Sequence, residues 1–433
     1  MTSALQRGLS PVRAVLDNGA TVIAQHTTTH RAVTVFASLA AGSGHDQPAA
    51  PGTAHFVGRT IDRGTHRRSA DALAEAFDDR GVSLSVSVTR HLMTFSCTCL
   101  ADDIAPVLDL LAEVITEPAF PADQVEKRRT AIVTAIGQDA DNPAAVATES
   151  LMAALYPGGH PYGRPSKGTV GSVQSIGRDT LAGFHRDHFG PSTLRVVIAG
   201  DCDVARAVTL AGSAFGRWQA RGGPPLAPPP VAPATSRTRR THVVRGKSQS
   251  DIAYGFVSVT RHDPRYYAIA VMNTVLGQYG LGGRLGDNIR ERQGMAYYVF
   301  SGVDANVAPG PLAVRAGVSP ANVERAIAAI DEELSRMARD GVTPAELSDT
   351  RRYLIGSLPR TLETNGGIAS FLHTADFFGL GLDYDRRLPA IFDAVTLDEV
   401  NDAARLLLAP GLATIAVAGP EREPGYGPAE PGA

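Results

Sequence analysis

Two stretches carry the reading of the fold: Arg195-Val196-Val197-Ile198-Ala199-Gly200 and Ala413-Thr414-Ile415-Ala416-Val417-Ala418-Gly419, each an apolar strand that closes on glycine late in one half of the chain. A second pair of signals precedes them in the same order. Phe120-Pro121-Ala122-Asp123 leads to Arg128-Arg129, and Thr343-Pro344-Ala345-Glu346 leads to Arg351-Arg352, with the arginines seven and eight positions after the proline in both cases. A proline at a helix start explains either of these alone, but two signals repeated in one order point to a duplicated domain. Between the halves, residues 221–235 read RGGPPLAPPPVAPAT, a composition that propagates neither helix nor sheet and favours extended polyproline geometry. The sequence therefore divides into an N-terminal domain over 1–220, a Pro-rich linker over 221–235 and a C-terminal domain over 236–433.

The bulk composition fits this division. A chain of 433 residues exceeds one ordinary core, and 43% hydrophobic with 20% charged residues is globular rather than disordered or fibrous. A net charge of −3 argues against a polyanion partner, so no nucleic acid is expected. Cys97, Cys99 and Cys202 are odd in number and form no CxxC pair, which fits a reducing compartment. Cys97 and Cys99 share one face of an alternating strand and are expected to pack as small apolar side chains. No apolar run suits a signal peptide or approaches ~20 residues, so a cytoplasmic protein with no membrane association is expected.

Periodicity places the elements. Residues 82–89 alternate apolar and polar, as in a strand with one buried face. Ser69 caps a helix carrying Leu73, Ala76 and Phe77 that stops at Gly81, and Ile104, Val107, Leu108, Leu111 and Ile115 mark another. Asp203 caps a third. In the second half, Asp263-Pro264 opens a buried helix through Val275, 296–303 and 311–318 read as strands, 320–339 as a helix, and Thr396 with Glu399 as a capping box. The fold class is α+β: two homologous domains, each an antiparallel sheet with helices mainly on one face.

The stretch Gly52-Thr53-Ala54-His55-Phe56-Val57-Gly58-Arg59, followed by Arg63-Gly64-Thr65, resembles the inverted zinc motif H-x-x-E-H of the insulinase and pitrilysin metallopeptidases, with its following R-G-T turn. The resemblance runs from about Val15 to Gly419. In that family both motif histidines and a later helical Glu bind zinc, and the motif Glu is the general base. In this chain the resemblance places His55 at the first ligand. Gly58 stands at the general base, Arg59 at the second ligand and Ala135 at the third, while Arg128 replaces an assisting acid one heptad earlier. One imidazole cannot hold zinc, which needs three protein ligands and a water. No metal site is expected at these degenerate positions. His185 and His188 form an HxxH without a third ligand and read as structural.

The second domain matches the family more closely. Leu276-Gly277-Gln278-Tyr279-Gly280-Leu281-Gly282-Gly283-Arg284-Leu285 and Asn288-Ile289-Arg290-Glu291-Arg292-Gln293-Gly294-Met295-Ala296-Tyr297 resemble its S-R-L…I-R-E…G-L-A-Y segment. There an Arg and a Tyr seven residues apart bind substrate near the scissile bond, and Arg290 and Tyr297 have that spacing. A guanidinium donates several fixed hydrogen bonds to peptide carbonyls, and a phenol steadies an oxyanion. Gly280, Gly282 and Gly283 are expected to form a loop in contact with substrate. The glycine run lacks the Lys-Ser/Thr of a phosphate-binding loop. The resemblance implies a non-catalytic, substrate-binding subunit of a heterodimeric zinc peptidase. No cofactor is expected in this chain; the zinc belongs to a paralogous partner subunit that cuts a peptide or unfolded polypeptide. A stand-alone peptide-binding or assembly protein is the alternative.

Overall fold

The computed structural model describes residues 8–28, 31–220, 222–278 and 283–421. Among them the strands are Val12–Val15 (β1), Thr21–His26 (β2), Ala32–Leu39 (β3), Ser85–Val88 (β4), Met93–Leu100 (β5), Arg195–Gly200 (β6), Thr238–Val243 (β7), Ser250–Val257 (β8), Ala296–Val303 (β9), Pro311–Val318 (β10) and Thr414–Gly419 (β11). The α-helices are Thr53–Thr60 (α1), Ala70–Asp78 (α2), Ile104–Thr116 (α3), Ala122–Ala140 (α4), Pro143–Leu155 (α5), Val170–Ser175 (α6), Arg178–His188 (α7), Val204–Phe215 (α8), Tyr266–Asn273 (α9), Val323–Asp340 (α10), Pro344–Thr361 (α11), Asn365–Phe377 (α12), Tyr384–Ala394 (α13) and Leu397–Leu407 (α14). None is long and apolar enough to cross a membrane.

The strands form two sheets, ordered β1-β2-β6-β3-β5-β4 and β7-β11-β8-β10-β9. The two repeated strands, β6 and β11, occupy equivalent places. Each is paired parallel on one side, to β2 or β7, and antiparallel on the other, to β3 or β8. The fold is thus α+β with two related domains, and its sheets are mixed where antiparallel ones were expected. β6 and β11 return after long helical excursions rather than tight hairpins, and an excursion of that length allows either strand direction.

Helical cover also extends to both faces of the first sheet. Val22, Ala24, Val196 and Ile198 join the large core with Val107, Leu111 and Phe215. The residues between them, Ile23, Val197 and Ala199, pack on Ile368, Ala369 and Leu372 of α12, the two-residue alternation of a doubly covered sheet. Polar contacts fix α12 there. Asn365 donates to the Ala32 carbonyl at 2.7 Å, His373 Nε2 lies 2.6 Å from Ser38 Oγ, and Asp376 pairs with Arg195 at 2.9 Å. In the second sheet, Ala253, Ala313, Ala416 and Ala418 offer a small-residue face to Ala147, Leu151 and Leu155 of α5.

Packing groups the chain into one unit of residues up to 136, 164–226 and 356–388, and another of 137–163, 227–355 and 389 onward. The linear division at 221–235 separates the strands of the two sheets. It does not separate the helices, since α5 belongs with the second sheet and α12 with the first. Residues 222–235 form neither helix nor strand.

Several local readings are met closely. Ser69, Asp203 and Thr396 cap α2, α8 and α14, the last with the full capping box. The helix expected from Pro264 begins at Tyr266, because Asp263 spends its carboxylate on Arg265 in a turn. Cys97 and Cys99 are free, buried in the first core, and burial pushes both thiols up to about 12.

His373 gives the fold a pH signature. Burial, and then the Arg195 guanidinium, hold its imidazole down at about 4, against the pull of Asp376. Between pH 6.5 and 4 the unfolded chain binds a proton there that the native chain refuses, so acidification through this window removes up to about 3 kcal/mol of stability. His373→Gln, which keeps a partner for Ser38, is expected to flatten the fall of Tm between pH 7 and 4.5 in calorimetry. A fall as steep as that of the parent chain would remove His373 from the acid response.

Candidate functional site

Helix α1 is built to a fixed start. Asp46, buried, accepts hydrogen bonds from the amides of Gly52 at 2.7 Å and Ala54 at 2.8 Å, satisfying donors that no helix can pair internally. Gly52 has φ 94°, and a Cβ there would lie 2.5 Å from the Lys167 carbonyl, so glycine is required. From this start Phe56 and Val57 enter the core, while His55 is half-buried and Arg59, one turn later, is exposed.

The segment after α1 docks on the approach to α4. Thr65 bridges Pro118, the His66 amide donates to the Glu117 carbonyl at 3.0 Å, and the Ala119 amide donates to the Gly64 carbonyl at 3.1 Å. Thr65 and Arg68 both donate to Glu113, which is 4% exposed. Phe120 then turns through a left-handed φ of 47° into α4, and Arg129 of α4 lies over the Phe56 ring. This docking brings Arg59, Asp62, Arg63 and Arg128 into one another's field.

The residues at the motif positions do not fit a zinc ion. His55 offers one imidazole, Arg59 a guanidinium, Ala135 a methyl group, and Gly58 no side chain at all. Among the described residues no group of three or more His, Cys, Asp or Glu is placed to hold a metal. Position 58 is also closed: a Cβ there would lie 2.6 Å from Val88 Cγ2, with Met93 and Val86 behind it. His185 donates from Nε2 to the Ile115 carbonyl at 2.8 Å and His188 packs at a tilt against the Phe184 and His45 rings, so the HxxH pair is part of the packing.

In the second domain Arg290 sits in a π-helical turn, Gly286–Arg292, that follows another at Thr274–Gln278. Such turns are rare and concentrate at functional sites. The turn is anchored from beneath. Asn288 donates to Glu333 at 2.5 Å, and Arg336 also pairs with that carboxylate, which is 1% exposed. Arg284 grips Glu346 at 2.7 and 2.8 Å and the Gly341 carbonyl at 2.8 Å. Burial alone would raise Glu346, but hydrogen bonds from Arg284 and Thr343 outweigh it and hold the carboxyl down at about 2.

Arg290 itself is exposed, with Glu291 at 3.6 Å. Tyr297 is 66% exposed on β9, the edge strand. The register explains its orientation: Gly317 faces Tyr298 while Val318 faces Ala296, so Tyr297 is the extra residue of a β-bulge. Bulges re-aim side chains in this way and recur beside active sites. Gly283 approaches Gly277 so closely that a Cβ on it would lie 2.8 Å from the Gly277 Cα. Gly280 and Gly282 lie outside the described residues. Glu333 was not singled out from sequence, although a carboxylate between Ile330, Leu334 and Met337 on the buried stripe of α10 is the available signal.

Two related α+β domains, the first carrying the 52–59 stretch at α1 and the second the Arg290 and Tyr297 segment, define a metallopeptidase-type scaffold. Residues 21–169 match the profile described as insulinase (peptidase family M16), and 175–354 match that of the peptidase M16 inactive domain. A Mycobacterium tuberculosis protein named as an uncharacterized zinc protease is 30% identical over 402 residues, covering 92% of this chain and 91% of its own. The Arabidopsis thaliana probable mitochondrial-processing peptidase subunit beta is 25% identical, over 90% of this chain and 74% of that protein. The crystal structure of a peptidase M16 inactive domain from Pseudomonas fluorescens superposes with a TM-score of 0.88 at 25% identity, covering 96% of this chain and 98% of that one. The chain belongs to the M16 (insulinase) peptidase family.

Two glycines on the motif helices separate a filled site from an open one. Gly58→Glu is expected to cost about 1–3 kcal/mol through overpacking against Val88. Gly137→Ala, in α4 with no atom within 4 Å of the added Cβ, is expected to gain about 0.5–1 kcal/mol. Urea denaturation measures both, and a Gly58→Glu chain as stable as the parent would show position 58 to be open.

Proposed function

We propose that this chain is the non-catalytic, substrate-binding subunit of a heterodimeric zinc peptidase, and that a zinc-bearing paralogue with an intact H-x-x-E-H motif cuts the peptide. The observation that carries the reading is the contrast between the two domains. The motif helix of the first presents one imidazole and a closed position 58, a donor set that cannot fix the ion or its water. The second retains Arg290 on an anchored π-turn and Tyr297 on a bulge, both exposed.

The chemistry assigned to this pair is hydrogen bonding to the substrate while the paralogue's zinc site attacks the scissile bond. Arg290 donates to peptide carbonyls through a planar fork, and Tyr297 donates its phenol proton to the oxygen on which charge develops. β9 is an edge strand among the described residues, so an extended peptide can add backbone hydrogen bonds alongside Tyr297. Asn288 and Glu333 keep the Arg290 turn in place.

The purified chain is expected to carry far less than one zinc per molecule by elemental analysis and to cleave no peptide. Cleavage is expected when the paralogue is added. In that complex Arg290→Ala and Tyr297→Phe should each lower turnover by about 10²-fold without changing the elution volume of the complex. Stoichiometric zinc and hydrolysis by the isolated chain would overturn the proposal, and undiminished turnover in both variants would remove the pair from the site.

A further inference from the structure

The place where the motif lost its ligands is not neutral. Arg59 on α1, Arg63 in the following turn and Arg128 on α4 share it with the Asp62 carboxylate. Among the described residues, the ion pair Asp62 forms is with Arg63, at 3.1 Å. Among the described residues, neither Arg59 nor Arg128 forms a hydrogen bond or a salt bridge. The Nε atoms of Arg63 and Arg128 are buried without a partner, as are those of Arg80, Arg164 and Arg351 elsewhere, but among the described residues only here do two of them act on each other.

A protein ordinarily pairs buried guanidinium nitrogens or leaves them in water. Here burial and the neighbouring Arg63 and Arg59 charges press the Arg128 guanidinium below its ordinary range, with Asp62 opposing. The fold gains nothing visible from holding three like charges together. A second anion would change that: a carboxylate fits the guanidinium fork in bidentate geometry, and such charge-assisted bonds are the strong ones.

We infer that Arg59, Arg63 and Arg128 form an anion subsite that binds a carboxylate of a peptide, on the helix pair where the relatives' motif would hold a cation. The inference deepens the peptide-binding reading above and rests on it for the nature of the ligand. It gives that reading a substrate class, peptides with an acidic residue or a free C-terminus. The residue swap then has a chemical sense: a metal site turned into a site of opposite preference, with Arg59 and Arg128 at positions that in the family serve the ion.

Fluorescence anisotropy with labelled synthetic peptides tests this on the full chain. One C-terminally amidated peptide carries central Glu residues, a second carries Gln in their place, and a third is the Gln peptide with a free C-terminus. The parent chain is expected to bind the Glu peptide or the free-acid peptide about tenfold more tightly than the amidated Gln peptide, with the preference fading as salt is raised. Which of the two is favoured identifies the carboxylate. In the Arg59→Gln/Arg128→Gln chain the preference should vanish while binding of the amidated Gln peptide is unchanged. Its Tm should stay close to the parent's, since neither side chain hydrogen-bonds another group and relief of the mutual repulsion offsets the lost attraction to Asp62; Arg59→Lys/Arg128→Lys, which keeps the charge, should retain part of the preference. Equal affinity for all three peptides in the parent chain overturns the subsite and leaves the peptide-binding reading standing. If no peptide binds, the peptide-binding reading fails, and succinate decides the subsite. A rise in Tm with succinate in the parent but not in the Gln/Gln chain upholds an anion site, and no rise overturns it.

Discussion

The first domain depends on one buried carboxylate. Glu113 receives the Thr65 hydroxyl and the Arg68 guanidinium, and with the Thr65 to Pro118 bridge it clamps the turn after α1 onto the approach to α4. A metal held jointly by α1 and α4 would cross-link the two helices. Here the cross-link lies in the connecting turns, so helix placement does not require an ion. A buried acid with two donors, one charged, is costly to disrupt because its loss of partners leaves an uncompensated charge. With that clamp in place, α1 and α4 stay together whatever side chains stand at positions 58, 59 and 135.

The second domain uses a related device for a different end. Glu333 and Glu346 are acids, one fully and one partly buried, that hold Asn288 within the π-turn and Arg284 just before it. The exposed Arg290 is therefore presented by a stiff segment rather than by a free loop. Tyr297 gains the same stiffness from the ladder around its bulge. Side chains held this way would lose little freedom on meeting the peptide proposed above.

Much of this was legible in the residues. The repeat of β6 and β11, the caps at Ser69, Asp203 and Thr396, and strands β9 and β10 follow from period and local chemistry, which act over a few neighbouring positions. The parallel pairing of β6 and β11 was not, because strand direction after a long excursion is set by distant packing. The exchange of α5 and α12 was hidden for the same reason: an apolar helix face does not name the sheet it covers. At the motif positions the residue types are read directly from the sequence, whereas the closure of position 58 required knowing that Val88 of β4 lies across from it. The bulge at Tyr297 depends on a register that only the partner strand β10 reveals.

The placement of α12 also bears on how the molecule is made. A ribosome that has released β6 has delivered every strand of the first sheet, yet Ile23, Val197 and Ala199 stay bare until residues 365–377 emerge. The nascent chain must therefore carry an exposed greasy face through the synthesis of more than a hundred further residues, from Gly200 to Asn365. That interval is where a chaperone or a wrong neighbour can meet it. Cutting the gene at the proline-rich segment would make the exposure permanent, because each fragment would leave behind a helix that the other one's sheet needs.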